Sequence, residues 1–212
     1  MDFIHPKANE YVDQYSNATP SYLRAMYDAT MASHPHAHLQ SNWNQGGFLT
    51  FFSRMLQPLQ IIEIGTFTGF SSLCLAEGLQ KEGQLHTIEL REQDAQSAKS
   101  YFEQSAFNNQ IIQYIGDAKT LIPSIDKVFD LAFIDADKTG YIDYYEMLLP
   151  KMASGGIMIA DNTLFHGEVL QSQPAGKSAK AIQAFNDYVI KDTRTEKLML
   201  TIRDGLTLIR IK

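Results

Sequence analysis

Five short apolar runs constrain this chain more than any other feature: QIIEIG (60–65), LHTIEL (85–90), IIQYIG (111–116), DLAFIDA (130–136) and GGIMIAD (155–161), with helix-length segments between them. Runs apolar on both faces suit strands covered on both sides, the condition of a parallel sheet lying between helix layers. A helical segment follows at about 178–190. After it, KLMLTIRDGLTLIRIK reads as two strands around Asp204-Gly205, a hairpin dipeptide, so the sheet ends in an antiparallel pair. The expected class is α/β. Residues 1–57 read as helical with breaks at Pro6, Pro20 and Pro35, forming a lid or an oligomer contact. No repeat, low-complexity tract or linker divides the chain, so 1–212 is read as one domain.

With 212 residues and 44% hydrophobic content, the chain can bury a sizeable core. The net charge of −6, with Lys and Arg scattered, argues against a nucleic-acid surface. No apolar run reaches the roughly 20 residues of a membrane span, and the start, MDFIHPKANEY, lacks the pattern of a signal peptide. The one cysteine, Cys74 in SSLCLAEGL, reads as a small buried helix residue, and a reduced cytosol is the expected setting.

Ligands of such a sheet bind beyond the carboxyl ends of its strands. The first end reads EIGTFTGFSS. Gly65 and Gly69 permit a tight turn, Thr66 lies within it, and Ser71 and Ser72 open the next helix. The spacing is not the G-x-G-x-x-G dinucleotide fingerprint, and Glu63 disfavours a pyrophosphate there, so a cationic or zwitterionic ligand fits better. Glu89, 24 residues after Gly65, ends the second strand where an acid accepts both hydroxyls of a ribose. Asp117 and Ala118 end the third; they are read as flanking an adenine or, for Asp117, as a helix cap.

Two successive strand ends are acidic. If the strands are sheet neighbours, the backbones at Asp135 and Asp161 lie roughly 5 Å apart, close enough for the two to share a hard cation with Asn162. Oxygen-only ligation favours Mg²⁺ over zinc, with Mn²⁺ and Ca²⁺ as alternatives. Lys138, three residues after Asp135, is either a general base that loses its proton more readily beside the metal or an ordinary surface lysine. The histidines of SHPHAHLQS (His34, His36, His38) are explained by an extended segment leading to Ser41 rather than by a metal. In the helix after Lys138, Tyr141 and Tyr145 pack or face solvent.

The segments EIGTFTGFSSL, FIDADKTGYIDYYEMLLPKMASGG and IADNTLFHGEV closely resemble the cation-dependent class I S-adenosylmethionine O-methyltransferases, the caffeoyl-CoA O-methyltransferase group, with catechol O-methyltransferase more distant. The resemblance runs from about residue 22 to the closing DGLTLIRIK. It implies a Rossmann-like class I methyltransferase fold, a seven-stranded, mostly parallel sheet with an antiparallel last strand and helices on both faces. It also implies a homodimer. Asp135, Asp161 and Asn162 match metal ligands, and Lys138 matches the lysine that accepts the phenolic proton. Ser41, Glu63, Gly65, Thr66, Ser71, Glu89, Ala118, Asp137 and Tyr144 match positions binding S-adenosylmethionine.

The departures concern the acceptor. His166 stands where the plant enzymes have an asparagine near the substrate, Phe165 replaces a common tryptophan, and the N-terminal extension is short. A smaller or different catechol or polyphenol is therefore expected instead of caffeoyl-CoA, with Asp135 and His166 touching it. Two other classes stay open: a non-catalytic S-adenosylmethionine-binding module, which would not need Asp135, Asp161, Asn162 and Lys138 together, and an NAD-dependent oxidoreductase, which lacks its third glycine.

Overall fold

The computed structural model describes residues 5–212. In chain order its elements are α1 (Pro6–Gln14), α2 (Arg24–Ser33), α3 (Trp43–Leu56), β1 (Gln60–Ile64), α4 (Phe70–Ala76), β2 (Gln84–Glu89) and α5 (Glu92–Gln104). There follow β3 (Ile111–Ile115), α6 (Ala118–Ser124), β4 (Phe129–Ile134), α7 (Tyr141–Leu148), β5 (Met152–Asp161), α8 (Lys177–Lys191), β6 (Thr195–Leu200) and β7 (Leu206–Ile211). All five apolar runs form strands. They pair in the order β3-β2-β1-β4-β5-β7-β6, parallel except for β7, which runs antiparallel to both β5 and β6.

The period of two in a strand sorts side chains between two cores. Ile62, Ile64, Ala132, Ile134, Met158 and Ala160 face the layer of α6, α7 and α8. Ile61, Leu131, Phe133 and Ile159 face the layer of α2 to α5. The same parity turns Glu63, Asp135 and Asp161 toward the second layer. The strand order reverses between β1 and β4, which is where ligands enter a doubly wound sheet.

Two expectations need correcting. Pro6 is the first residue of α1 and starts that helix instead of breaking one, in keeping with the missing N–H being unneeded there. The segment after His34 is not extended: it tightens into a 3₁₀ turn at Ala37–Leu39, with the His34 to His36 and His36 to His38 ring centroids 5.9 and 6.1 Å apart.

Candidate active site

The carboxyl ends of β1, β2, β4 and β5 border a cavity of about 970 Å³, roofed by the 38–42 segment and by Asn9 of α1. Gly65 makes the first wall possible. Its φ of 101° is left-handed, and an added Cβ would stand 2.0 Å from the Asp135 carbonyl, so no other residue lets β1 end against β4. Gly69, at φ 92°, then starts α4 against Phe102, where a Cβ would meet Cε1 at 2.6 Å.

Ser41, Gly65, Thr66, Ser71, Glu89 and Ala118 all line the cavity, as do Asp137 and Tyr144. Glu89 is held rigidly: Oε2 accepts the Phe67 N–H at 2.7 Å and Oε1 the Arg91 N–H at 2.9 Å. Tyr144 Oη donates to Asp137 Oδ1, and Thr139 Oγ1 donates to Oδ2 at 2.9 Å. Asp117 proves to be a cap, its Oδ1 accepting the Lys119 N–H at 2.9 Å, while it also borders the cavity. Glu63 lies one layer behind. It is wholly buried, and its carboxylate accepts from Ser71 Oγ at 2.6 Å, from Ser72 Oγ and from Thr87 Oγ1 at 2.6 Å. Burial pushes its carboxyl up to about 7 despite those three hydroxyls.

At the other end, Ile134 pairs with Ala160, so Asp135 and Asp161 are the next residues on neighbouring strands. Asp135 and Asn162 line the cavity; Asp161 stands behind it, fully buried. Its Oδ1 accepts the Asn162 N–H at 2.7 Å and its Oδ2 accepts Gln45 Nε2 at 2.7 Å. Burial first, then the nearby Asp135 charge, pushes the Asp161 carboxyl up to about 7. Among the described residues no three His, Cys, Asp or Glu side chains converge on a metal position. Two carboxylates with an amide oxygen are nevertheless a donor set suited to a hard cation, and the mutual repulsion of the two acids is what such a cation would relieve.

Lys138 differs from expectation. Its Nζ donates to Asp135 Oδ1 at 2.9 Å and to Tyr141 Oη at 2.8 Å. Burial works against its charge, but Tyr141, Asp135 and Asp161 outweigh it and hold the ammonium above the ordinary lysine value. It is thus a paired cation and not a surface group. Tyr141, read as packing or facing solvent, is part of this site: its one hydroxyl proton is shared between the carbonyls of Asp161 at 3.0 Å and Ile134 at 3.2 Å, which fixes where Lys138 ends.

Three residues went unread in the sequence. Gln45, on α3, reaches Asp161. Asp204, in the loop between β6 and β7, accepts the His166 N–H at 2.5 Å and Asn162 Nδ2 at 3.2 Å. That holds a loop in which Asn162, Phe165 and His166 all have positive φ (56°, 43° and 54°). Arg203, beside it, reaches Gln45 and the cavity. His166 lines the mouth, with its side chain 68% exposed.

Residues 13–212 match the family model described as O-methyltransferase. The chain is 38% identical over 169 residues to probable caffeoyl-CoA O-methyltransferase 1 of Dictyostelium discoideum, covering 76% of this chain and 74% of that protein. It is 28% identical over 182 residues to catechol O-methyltransferase domain-containing protein 1 of Mus musculus, covering 82% and 68%. Among solved structures, the O-methyltransferase from Bacillus cereus in complex with SAH superposes with a TM-score of 0.87 at 28% identity, covering 97% of each chain. An SAH-bound methyltransferase of Podospora anserina superposes at 0.89 with 25% identity, covering 99% and 97%.

Proposed function

The chain belongs to the O-methyltransferase family, and from that premise we propose that it transfers a methyl group from S-adenosylmethionine to one hydroxyl of an aromatic vicinal diol, with a divalent cation, Mg²⁺ first, at Asp135, Asp161 and Asn162. One observation carries this reading: a single cavity has the rigid Glu89 carboxylate at one end and the Asp135, Asn162 and Lys138 group at the other. The sequence expectation of a cytosolic homodimer remains part of the proposal.

Glu89, with both oxygens oriented by backbone N–H groups, accepts the two ribose hydroxyls. Gly65 leaves the backbone open to the cofactor, and the acidic lining suits a sulfonium. Asp135, Asp161 and Asn162 would hold the cation, whose chemistry when bound is to favour the ionised form of an acceptor hydroxyl. Lys138 Nζ, fixed by Tyr141 and charged while it pairs with Asp135, takes the phenolic proton only after losing its own, which a cation held at Asp135 and Asp161 would favour by neutralising the acids that keep it charged. Orientation of two bound reactants supplies much of the remaining acceleration, on the order of 7 to 11 kcal/mol in favourable cases.

Methyl transfer from labelled S-adenosylmethionine to a catechol panel with Mg²⁺ tests the reading, alongside calorimetry with SAH and with NAD. Lys138→Met is expected to lose roughly 10²-fold or more in rate while SAH affinity stays unchanged. Binding of NAD without SAH, or no methyl transfer to any catechol, would overturn it.

A further inference from the structure

Four Lys and Arg side chains line the cavity: Arg91, Lys119, Lys138 and Arg203. Three are in direct contact with a carboxylate. Arg91 meets Asp94 at 2.7 Å, Lys138 meets Asp135 at 2.9 Å and Lys119 meets Asp143. Arg203 is different. Its Nη1 donates to Gln45 Oε1 at 3.2 Å and its Nη2 to the His38 carbonyl at 3.3 Å, both neutral acceptors. The nearest carboxylate oxygen among the described residues, Asp161 Oδ2, stands at 3.9 Å and already accepts Gln45 Nε2 at 2.7 Å. The arginines away from the cavity also meet acids closely: Arg24 with Asp28 at 3.0 Å, Arg194 with Asp192 at 2.6 Å and Arg210 with Glu196 at 3.1 Å.

A guanidinium offers five N–H donors in a fixed fork, matched to a carboxylate, and two of them suffice for the contacts Arg203 makes. Its hydrogen bonds go to neutral acceptors, so among the described residues its charge is offset only by the longer contact to Asp161. Its side chain remains 24% exposed, at the end of the cavity bordered by Asn162, Phe165 and His166 and by Leu39 of the roof. Leu39 and Phe165 provide apolar walls for a ring, and among the described residues Arg203 is the cavity cation whose nearest acid, Asp161 at 3.9 Å, lies beyond hydrogen-bond distance. We propose that Arg203 is the specificity-determining residue of the acceptor site, receiving a carboxylate carried on the ring of the aromatic acceptor. The assignment rests on the methyl-transfer reading and narrows its substrate class to acidic vicinal diols.

The test compares 2,3- and 3,4-dihydroxybenzoate with their methyl esters, which keep both hydroxyls and lose the charge, at saturating S-adenosylmethionine and Mg²⁺. At least one acid is expected to exceed its ester in kcat/KM by roughly tenfold or more, mainly through KM. Arg203→Gln should bring that ratio close to one and Arg203→Lys should retain part of it. Calorimetric binding of the acid to the SAH-loaded protein should weaken in parallel. Equal use of acid and ester by the wild-type protein, or a preference that persists in Arg203→Gln, overturns the role of Arg203 and leaves methyl transfer standing. Methylation of none of the four compounds overturns the vicinal-diol reading and this inference with it.

Discussion

Glu63 separates what burial does from what the ligand needs. Strand parity turns its carboxyl into the layer of α2 to α5, where three hydroxyls cover it, and burial raises it from 4.5 to about 7. A carboxyl raised in this way keeps its proton in the folded chain after the unfolded chain has lost it. Stability therefore falls as pH rises from about 4.5 and levels off above about 7. Glu63→Gln keeps the size and a hydrogen-bonding group but cannot titrate. Its stability relative to the wild-type protein is expected to rise between pH 5 and pH 7.5, by on the order of 1–3 kcal/mol. The Asp161 carboxyl, also near 7, is present in both proteins and cancels in the difference. Denaturant unfolding at the two pH values measures this; a pH-independent difference would contradict it.

The β6–β7 connection is the element whose role is least visible locally. Because β6 lies parallel to β5 across β7, its carboxyl end opens on the same edge as β1, β2, β4 and β5, so the loop that follows it enters the site. Asp204 is its working residue. Asp204→Ala removes acceptors from Asn162 and His166, at a cost of about 1–3 kcal/mol for the groups left unpaired. Mn²⁺ binding, followed by calorimetry or paramagnetic resonance, is expected to weaken roughly tenfold or more, since residues that orient ligands act at that level. Unchanged Mn²⁺ affinity would detach Asp204 from the centre. Here the sequence also shows its limits. Continuous apolar runs made the strands legible, and acids at their ends marked Asp135, Asp161 and Glu89. Gln45 and Arg203 were hidden because they reach the site from distant parts of the chain, Gln45 meeting Asp161 over 116 positions and Arg203 meeting Gln45 over 158. Asp204-Gly205 was legible as a turn, and that reading concealed an inward-facing acid. Lys138 was legible in position but not in state, because its charge depends on Asp135, Asp161 and Tyr141, the last read as packing or facing solvent.

Across the molecule, the reversal of strand order between β1 and β4 brings two half-sites to one cavity. β1 and β2 carry the residues we assign to the cofactor, β4 and β5 the acids we assign to the cation and acceptor, and the 38–42 segment lines the same cavity. That arrangement makes sense for a reaction in which a small cation-anchored ring must be held in line with a methyl donor. A hard cation held by Asp135, Asp161 and Asn162 would still have room for further oxygens, and a vicinal diol would offer it two. A single phenolic oxygen would leave the ring free to swing, and each 1.4 kcal/mol or so lost in orientation lowers the rate about tenfold. The most direct measurement is therefore kcat/KM for caffeic acid against p-coumaric acid, which lacks the 3-hydroxyl, with Mg²⁺ and after exhaustive chelation. Methylation of caffeic acid that greatly exceeds that of p-coumaric acid, is abolished by chelator and is restored by Mg²⁺ is the predicted result. Comparable methylation of both acids, or full activity in protein free of metal by elemental analysis, would contradict it.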